Sequence, residues 1–180
     1  MKKISGISVR RANLLLLLAS AIWGLAFVAQ RVGMRHVGPL TFNAVRFALG
    51  AAVLSPLLVW GWPGREPDAP TVPAGRILRG GLTAGTVLFV GATLHQYGVV
   101  FTTAGKAGFI TSLYVIFVPI LGLVIGQRTS TPIWAGAALS AIGLYLLSAQ
   151  GLVSIALGDG LVLIGAVFWA MHVLVIGHLA

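Results

Sequence analysis

The stretch that decides the fold is Asn13–Gln30, NLLLLLASAIWGLAFVAQ, which contains no charged residue and has Trp23 near its midpoint. A helix needs about 20 predominantly apolar residues to cross a bilayer. Together with its neighbours, the stretch therefore predicts a transmembrane helix over about residues 12–32. A similar but weaker pattern occurs at Asp159–Ile176. There the spacing from Asp159 to Trp169 equals the spacing from Asn13 to Trp23. This pattern indicates either a second copy of the first helix or simply another apolar helix that contains a tryptophan.

The composition extends this interpretation to the whole chain of 180 residues, of which 58% are hydrophobic and only 8% are charged. A soluble domain carries roughly a quarter charged residues, so the sequence predicts an all-α integral membrane protein in the lipid bilayer. We expect about six transmembrane helices, over about residues 12–32, 39–60, 77–101, 105–126, 131–150 and 159–180. Pro119 is expected to kink the fourth helix, and Asp159 is expected to cap the sixth. Small residues at four-residue spacing predict close helix packing at Gly81/Gly85, Gly122/Gly126 and Gly136/Ser140.

The net charge of +9 raises the question of a nucleic-acid partner, but the basic residues lie between the apolar windows and form no nucleic-acid motif. We therefore expect no nucleic acid, because cytoplasmic loops of a membrane protein are normally enriched in lysine and arginine. With the N-terminus inside, the cytoplasmic segments hold eight basic residues: Lys2, Lys3, Arg10, Arg11, Arg65, Arg76, Arg79 and Arg128. The outer segments hold three: Arg31, Arg35 and Lys106. This bias predicts a cytoplasmic N-terminus.

Three runs resemble a known family: SAIWGLAFVAQRVG at residues 20–33, PLTFNAVRF at 39–47, and YGVVFTTAGKAGFITSLYVIFVPILG at 97–122. They resemble the EamA-type permeases of the drug/metabolite transporter superfamily, and the resemblance covers essentially all of residues 11–180. It implies ten spans in two five-span repeats, and a small-molecule substrate, often an exported amino acid, that crosses the bacterial inner membrane. It also implies that residues 12–150 are the first repeat and residues 158–180 the first helix of an incomplete second repeat.

A repeat of five spans has an odd number of crossings, so a second copy enters the membrane in the opposite direction. Inverted repeats are a transporter architecture, with the substrate site near the midplane at their interface. The first repeat is then expected to pair with a second repeat, or with another copy of the chain in a homodimer. The eight-to-three distribution of basic residues disfavours insertion in both directions.

Arg46 is the strongest candidate for a functional residue, because a charge inside a span is costly and normally faces a cavity or a partner. Asn43 shares its helical face, and the family that the chain resembles also favours an Arg-Phe pair here, as in Arg46-Phe47. A cation in a span favours a substrate with a carboxylate or another anionic group. A structural arginine that bonds backbone carbonyls is the alternative.

Other polar and aromatic residues suggest a water-filled cavity around Arg46. His95 and Gln96 lie in the same outward half of the membrane, and Gln30 lies near the interface. Trp23 and Trp169 occupy midplane positions, where interface tryptophans do not normally lie. The predicted substrate-binding residues are Trp23, Phe27, Asn43, Arg46, His95, Gln96, Thr111, Tyr114 and Trp169. Packing and interhelical hydrogen bonding are the alternative for each of them.

Motifs for catalysis and metal binding are missing from the sequence, which has no H-E-x-x-H, no G-x-S-x-G, no P-loop and no cysteine. We therefore expect no enzymatic activity, no cofactor and no metal. The function that these observations favour is a secondary transporter, by preference an exporter of a small amino-acid-like metabolite by alternating access. A truncated, non-transporting membrane module or an assembly subunit is the alternative.

Overall fold

The computed structural model describes residues 8–60, 72–127, 129–148 and 156–179, and these residues form helices and short connections without any strand. The helices are α1 (Val9–Gly33), α2 (Pro39–Trp60), α3 (Ala74–Phe101), α4 (Ala104–Ser112), α5 (Tyr114–Val124), α6 (Thr131–Ser148) and α7 (Leu157–Leu179). The predicted all-α class is confirmed. Arg128 and the predicted end of the fifth span at residues 149–150 lie outside the described residues.

Five helical segments of the described chain are long and apolar enough to cross a membrane: α1, α2, α3, the pair α4 and α5, and α7. The remaining helix, α6, has a shorter described apolar stretch, Thr131–Ile142. The described helix ends lie within three residues of the predicted spans. The apolar windows locate the helices well because a chain in lipid must satisfy its backbone hydrogen bonds internally, as a helix does. The chain is therefore a multi-pass membrane protein.

The fourth predicted span is interrupted at Leu113, which separates α4 from α5. Pro119, at which a kink was expected, lies inside α5 instead. The hydroxyls of Thr111 and Ser112 donate to carbonyls three or four residues back, at 2.7 and 2.6 Å. Because this kind of bonding bends a helix, it accounts for an interruption upstream of the proline.

Asp159 does not occupy the predicted cap position but lies in the first turn of α7, which begins at Leu157. Its Oδ2 atom accepts a hydrogen bond from the backbone N–H of Ala156 at 3.0 Å. The side chain thus reaches back to the helix start, as the acidic residue of a capping box does. A carboxylate in this first turn also interacts favourably with the helix dipole.

The most extensive helix contact is between α3 and α7. It is built on four residues that we call the glycine seam: Gly91, Gly98, Gly158 and Gly165. A Cβ at Gly98 would lie 2.8 Å from the carbonyl oxygen of Gly158, and a Cβ at Gly158 only 2.5 Å from that of Gly98. Gly91 and Gly165 face each other in the same way. The pairing makes the two helices antiparallel, and the absence of side chains allows their backbones to approach this closely.

The glycines at four-residue spacing do not form this contact. A Cβ would meet nothing within 4 Å among the described residues at four of these positions: Gly81, Gly85, Gly126 and Gly136. The prediction of close helix packing is therefore wrong for them. Gly122 has neighbours, the side chains of Gln127 and Leu174. The seam glycines are seven residues apart on each helix, which is about two helical turns.

Polar side chains tether α1 and α2 to α3. The guanidinium of Arg31 donates to the carbonyl oxygens of Val99 and Val100 at 2.8 and 2.7 Å, close to the C-terminus of α3. Asn43 of α2 donates from Nδ2 to the carbonyl oxygen of Ala92 at 3.2 Å. These bonds hold α1 and α2 beside the α3–α7 pair, around the space where most of the predicted site residues lie.

Candidate substrate-binding site

The two tryptophans that the sequence places in corresponding positions contact each other. Trp23 of α1 and Trp169 of α7 have ring centroids 6.3 Å apart and an interplanar angle of 63°. His172 lies edge-on to Trp169 at 6.4 Å, and its Nδ1 is 3.1 Å from the carbonyl oxygen of Ala84. Such edge-to-face pairs are favourable aromatic contacts. The N-terminal and C-terminal helices of the described chain therefore meet through their tryptophans.

A second aromatic contact joins Phe27 and His95, with ring centroids 5.5 Å apart. His95 is buried, and its Nε2 has no hydrogen-bond partner among the described residues. The same holds for Nε1 of Trp169 and Oε1 of Gln30. A buried polar atom without a partner is costly, so the burial of these three atoms is not compensated by any hydrogen bond among the described residues.

These side chains surround a cavity of about 450 Å³ between α1, α2, α3, α4 and α7, which we call the central cavity. Six of the nine predicted substrate-binding residues line it: Trp23, Phe27, Arg46, His95, Thr111 and Trp169. Its other lining residues are Ala26, Gln30, Phe47, Leu88 and His172, and no lining residue is acidic. The volume lies within the usual range for small-molecule sites, roughly 300–1,000 Å³.

Arg46 brings a positive charge to this cavity from α2. The guanidinium carbon lies 5.0 Å from the ring centroid of Phe47 and 6.0 Å from that of Phe42. No described residue accepts a hydrogen bond from the guanidinium or forms an ion pair with it, and the two aromatic rings are its near neighbours. Arg31 instead makes the carbonyl bonds expected of a structural arginine. The geometry of Arg46 suits the binding of an anionic group.

The remaining three predicted residues lie elsewhere. Tyr114 lines a neighbouring cavity of about 520 Å³ between α1, α4 and the start of α5, which shares Trp23, Phe27 and Thr111 with the central cavity. Asn43 is buried and tethers α2 to α3. Gln96 is fully buried outside both cavities, and neither amide atom of its side chain has a partner among the described residues.

Comparison with known proteins places the chain in a family. Residues 10–149 match the model of the EamA-like transporter family. The chain belongs to this family. The resemblance drawn from the three sequence runs is thereby confirmed.

Curated relatives of this EamA-like chain are transporters by name. Two uncharacterized transporters of Archaeoglobus fulgidus are 32% and 25% identical to it over 96% and 90% of its length. A probable amino-acid metabolite efflux pump of Salmonella typhimurium is 31% identical over 77% of the chain. The matches cover 51%, 56% and 43% of these relatives, so the chain spans about half their length. No solved structure gives a significant match.

Two polar residues of the EamA-like cavity were not among the predicted site residues. Gln30, placed near the interface from its sequence position, is 7% exposed and lines the cavity wall. His172 lines the cavity beside Trp169, and its spacing of three residues from that tryptophan is the signal that could have identified it. The site therefore combines one cation, several aromatic faces and unpartnered polar atoms.

Proposed function

We propose that residues 12–150 and 158–180 are the first repeat and the first helix of the second repeat of a secondary transporter. It exports an amino-acid-like metabolite across a bacterial inner membrane by alternating access, and its N-terminus is cytoplasmic. The observation that carries this proposal is the central cavity, in which Arg46 supplies a positive charge and no lining residue is acidic. The probable amino-acid metabolite efflux pump among the relatives supports the substrate class.

Different residues of the cavity bind different parts of the proposed substrate. Arg46 binds the carboxylate, because a guanidinium and a carboxylate form strong, charge-assisted hydrogen bonds. The faces of Trp23 and Trp169 take the apolar side chain, and they also attract the ammonium group by a cation–π interaction. The unpartnered Nε2 of His95 and Nε1 of Trp169 add further polar contacts. A zwitterionic amino acid or a close derivative of one satisfies all these groups.

The contact between Trp23 and Trp169 supports the repeat assignment. Inverted repeats bring corresponding helices together around a site near the membrane midplane. In the proposed arrangement α1 and α7 are such corresponding helices, which enter the membrane from opposite sides. The rest of the second repeat would complete the wall of the path on the side of α7.

The test is a counterflow measurement in proteoliposomes that contain the protein, preloaded with unlabelled amino acids. Labelled amino acid is added outside, and a free amino acid is compared as a competitor with the amide of the same amino acid, which lacks the carboxylate. We expect the amide to compete at least about tenfold less well, since a hydrogen bond to a charged group contributes about 1.5–3 kcal/mol. Equal competition by the two compounds, or no counterflow with any amino acid, would overturn the proposed substrate class.

A further inference from the structure

The short helix α4 is bounded on both sides by interruptions. It begins after Thr102 and Thr103, whose backbones are extended, with φ values of −135° and −89°. It ends at Leu113, where α5 takes over. Broken helices in transporters line the substrate path, and hinges lie at the ends of such elements. The two interruptions set α4 apart from α3 and α5 as a separate short segment.

A single ion pair joins α4 to α7 among the described residues. Nζ of Lys106 lies 3.2 Å from Oδ2 of Asp159, and the two side chains are 34% and 10% exposed. The other carboxylate oxygen of Asp159 accepts from the hydroxyl of Thr102 at 2.5 Å. Asp159 thus joins the C-terminus of α3 and the N-termini of α4 and α7 at one end of the bundle, which we call the Asp159 end.

Directly beneath this pair, α4 is held by a small apolar layer. Ala107 is fully buried and packs with Val99 of α3 and Val162 of α7. Ile110 of α4 and Phe27 of α1 are partly buried against this layer, so side chains attach α4 here. The glycine seam between α3 and α7, in contrast, has backbone atoms in contact and no room to slide. At the Asp159 end, α4 is thus packed less extensively than the α3–α7 pair that supports it.

The opposite end of the bundle contains open space. A cavity of about 920 Å³ lies there between α3, α5 and α7, and the basic side chains Arg76, Arg79 and His178 are among its lining residues. In the topology that the basic residues predict, this end faces the cytoplasm and the Asp159 end faces outside. The bundle is thus bridged by charged groups on one side and open on the other.

We propose that Lys106 and Asp159 form the outer gate of the transport path. While they are paired, α4 closes the Asp159 end above the central cavity. When they separate, α4 swings away about Leu113 and exposes the layer around Ala107 to the outside. This inference rests on the proposed transport function, but its test measures accessibility and requires no substrate.

The chain has no cysteine, so a single introduced cysteine reports on one position. Ala107→Cys is the reporter, labelled in intact cells with a thiol reagent that cannot cross the membrane. We expect slow labelling in this variant and about tenfold faster labelling when Lys106→Gln is added, the change expected if losing the pair shifts the closed–open equilibrium by ~1.4 kcal/mol. Lys106→Arg, which keeps the charge, restores slow labelling. Arg35→Gln removes a cation from an exposed position of the predicted outer side and serves as the matched control, with no change expected.

Ionic strength provides a second measurement that needs no change to the pair. Raising the salt concentration from about 0.1 M to about 1 M shortens the Debye length from ~10 to ~3 Å, and this weakens a partly exposed ion pair. We expect labelling of Ala107→Cys to accelerate with salt, and the Lys106→Gln background to show no such dependence. If neither Lys106→Gln nor added salt changes the labelling rate of Ala107→Cys, the proposed gate is overturned. Salt-dependent labelling from the cytoplasmic side alone would support a gate at this pair and overturn the proposed orientation.

Discussion

The glycine seam and the central cavity are formed by the same two helices, α3 and α7, and differ in what fills the space beside them. At the seam, α3 and α7 approach until a Cβ at Gly158 would lie 2.5 Å from a carbonyl oxygen. At the cavity, α3 and α7 turn His95 and Trp169 toward α1 and α2, and polar atoms remain without partners. Backbone atoms approach closely at the seam, whereas the cavity leaves about 450 Å³ of space. Packing at the seam stabilises the bundle, and the cavity is the place where we propose that substrate binds.

The largest effect is expected at the seam. Gly158→Leu places a side chain where even a Cβ would lie 2.5 Å from the carbonyl oxygen of Gly98, so the helices must separate. We expect the loss of most folded protein, corresponding to about 3 kcal/mol or more, since overpacking forces backbone shifts. The measurement is thermal unfolding of the detergent-solubilised protein, together with its size-exclusion profile. A monodisperse variant with an unchanged melting temperature would contradict the observed packing.

The next effect compares two arginines. Arg46→Gln removes the cation of the cavity without breaking any hydrogen bond among the described residues, so we expect transport to fall by about tenfold or more with little change in stability. Arg31→Gln removes the two bonds to the carbonyls of Val99 and Val100, so its first effect is a loss of about 1–3 kcal/mol of stability. Counterflow rates and melting temperatures are measured for both variants. If the two variants lose transport and thermal stability to the same extent, the distinction between a binding and a structural arginine is wrong.

A smaller effect is expected at the tryptophan pair. Trp23→Ala and Trp169→Ala each remove a wall of the cavity and one partner of the same ring contact. Aromatic pairs contribute about 0.5–1.5 kcal/mol beyond their buried area, so the two losses should not add. A double-mutant cycle on substrate affinity gives the coupling. The matched control is Trp134→Ala. Trp134 lies on α6 and lines neither of the two cavities that Trp23 lines. Strict additivity would show that the two tryptophans act independently.

The smallest effect is expected at a glycine that faces away from the packed helices. A Cβ at Gly81 would meet no described atom within 4 Å, so Gly81→Ala creates no clash. Because glycine is unfavourable in a helix interior, we expect stability to stay equal or to rise by up to about 1 kcal/mol. The same thermal unfolding assay checks this, with Gly158→Leu as the opposite extreme. A marked loss of stability would show that Gly81 contacts another helix.

Several features of the structure follow from the sequence because they depend on composition along one helix. The apolar windows locate the helices, since a bilayer requires a continuous run of apolar residues. Trp23, Phe27, Arg46, His95, Thr111 and Trp169 were predicted because charged, polar and aromatic groups within a membrane span are costly or unusual there. Asn43 was predicted from the helical face that it shares with Arg46, yet its amide tethers two helices. A side chain on the right face of a helix points either to a cavity or to a neighbouring helix, and periodicity alone does not distinguish the two.

The sequence by itself determined the class of the protein, the bounds of its helices and most of the residues around the central cavity. The tertiary structure decided which glycines are in contact, where the fourth span is interrupted and that Arg31 bonds carbonyl oxygens of α3. It also decided that Lys106 pairs with Asp159, 53 residues further along the chain. The physical reason is that helix formation in a membrane is a local property of 20 or so residues, as the bilayer requires. Contacts between helices depend instead on how faces from distant segments fit together, and spacing within one segment carries little information about that fit.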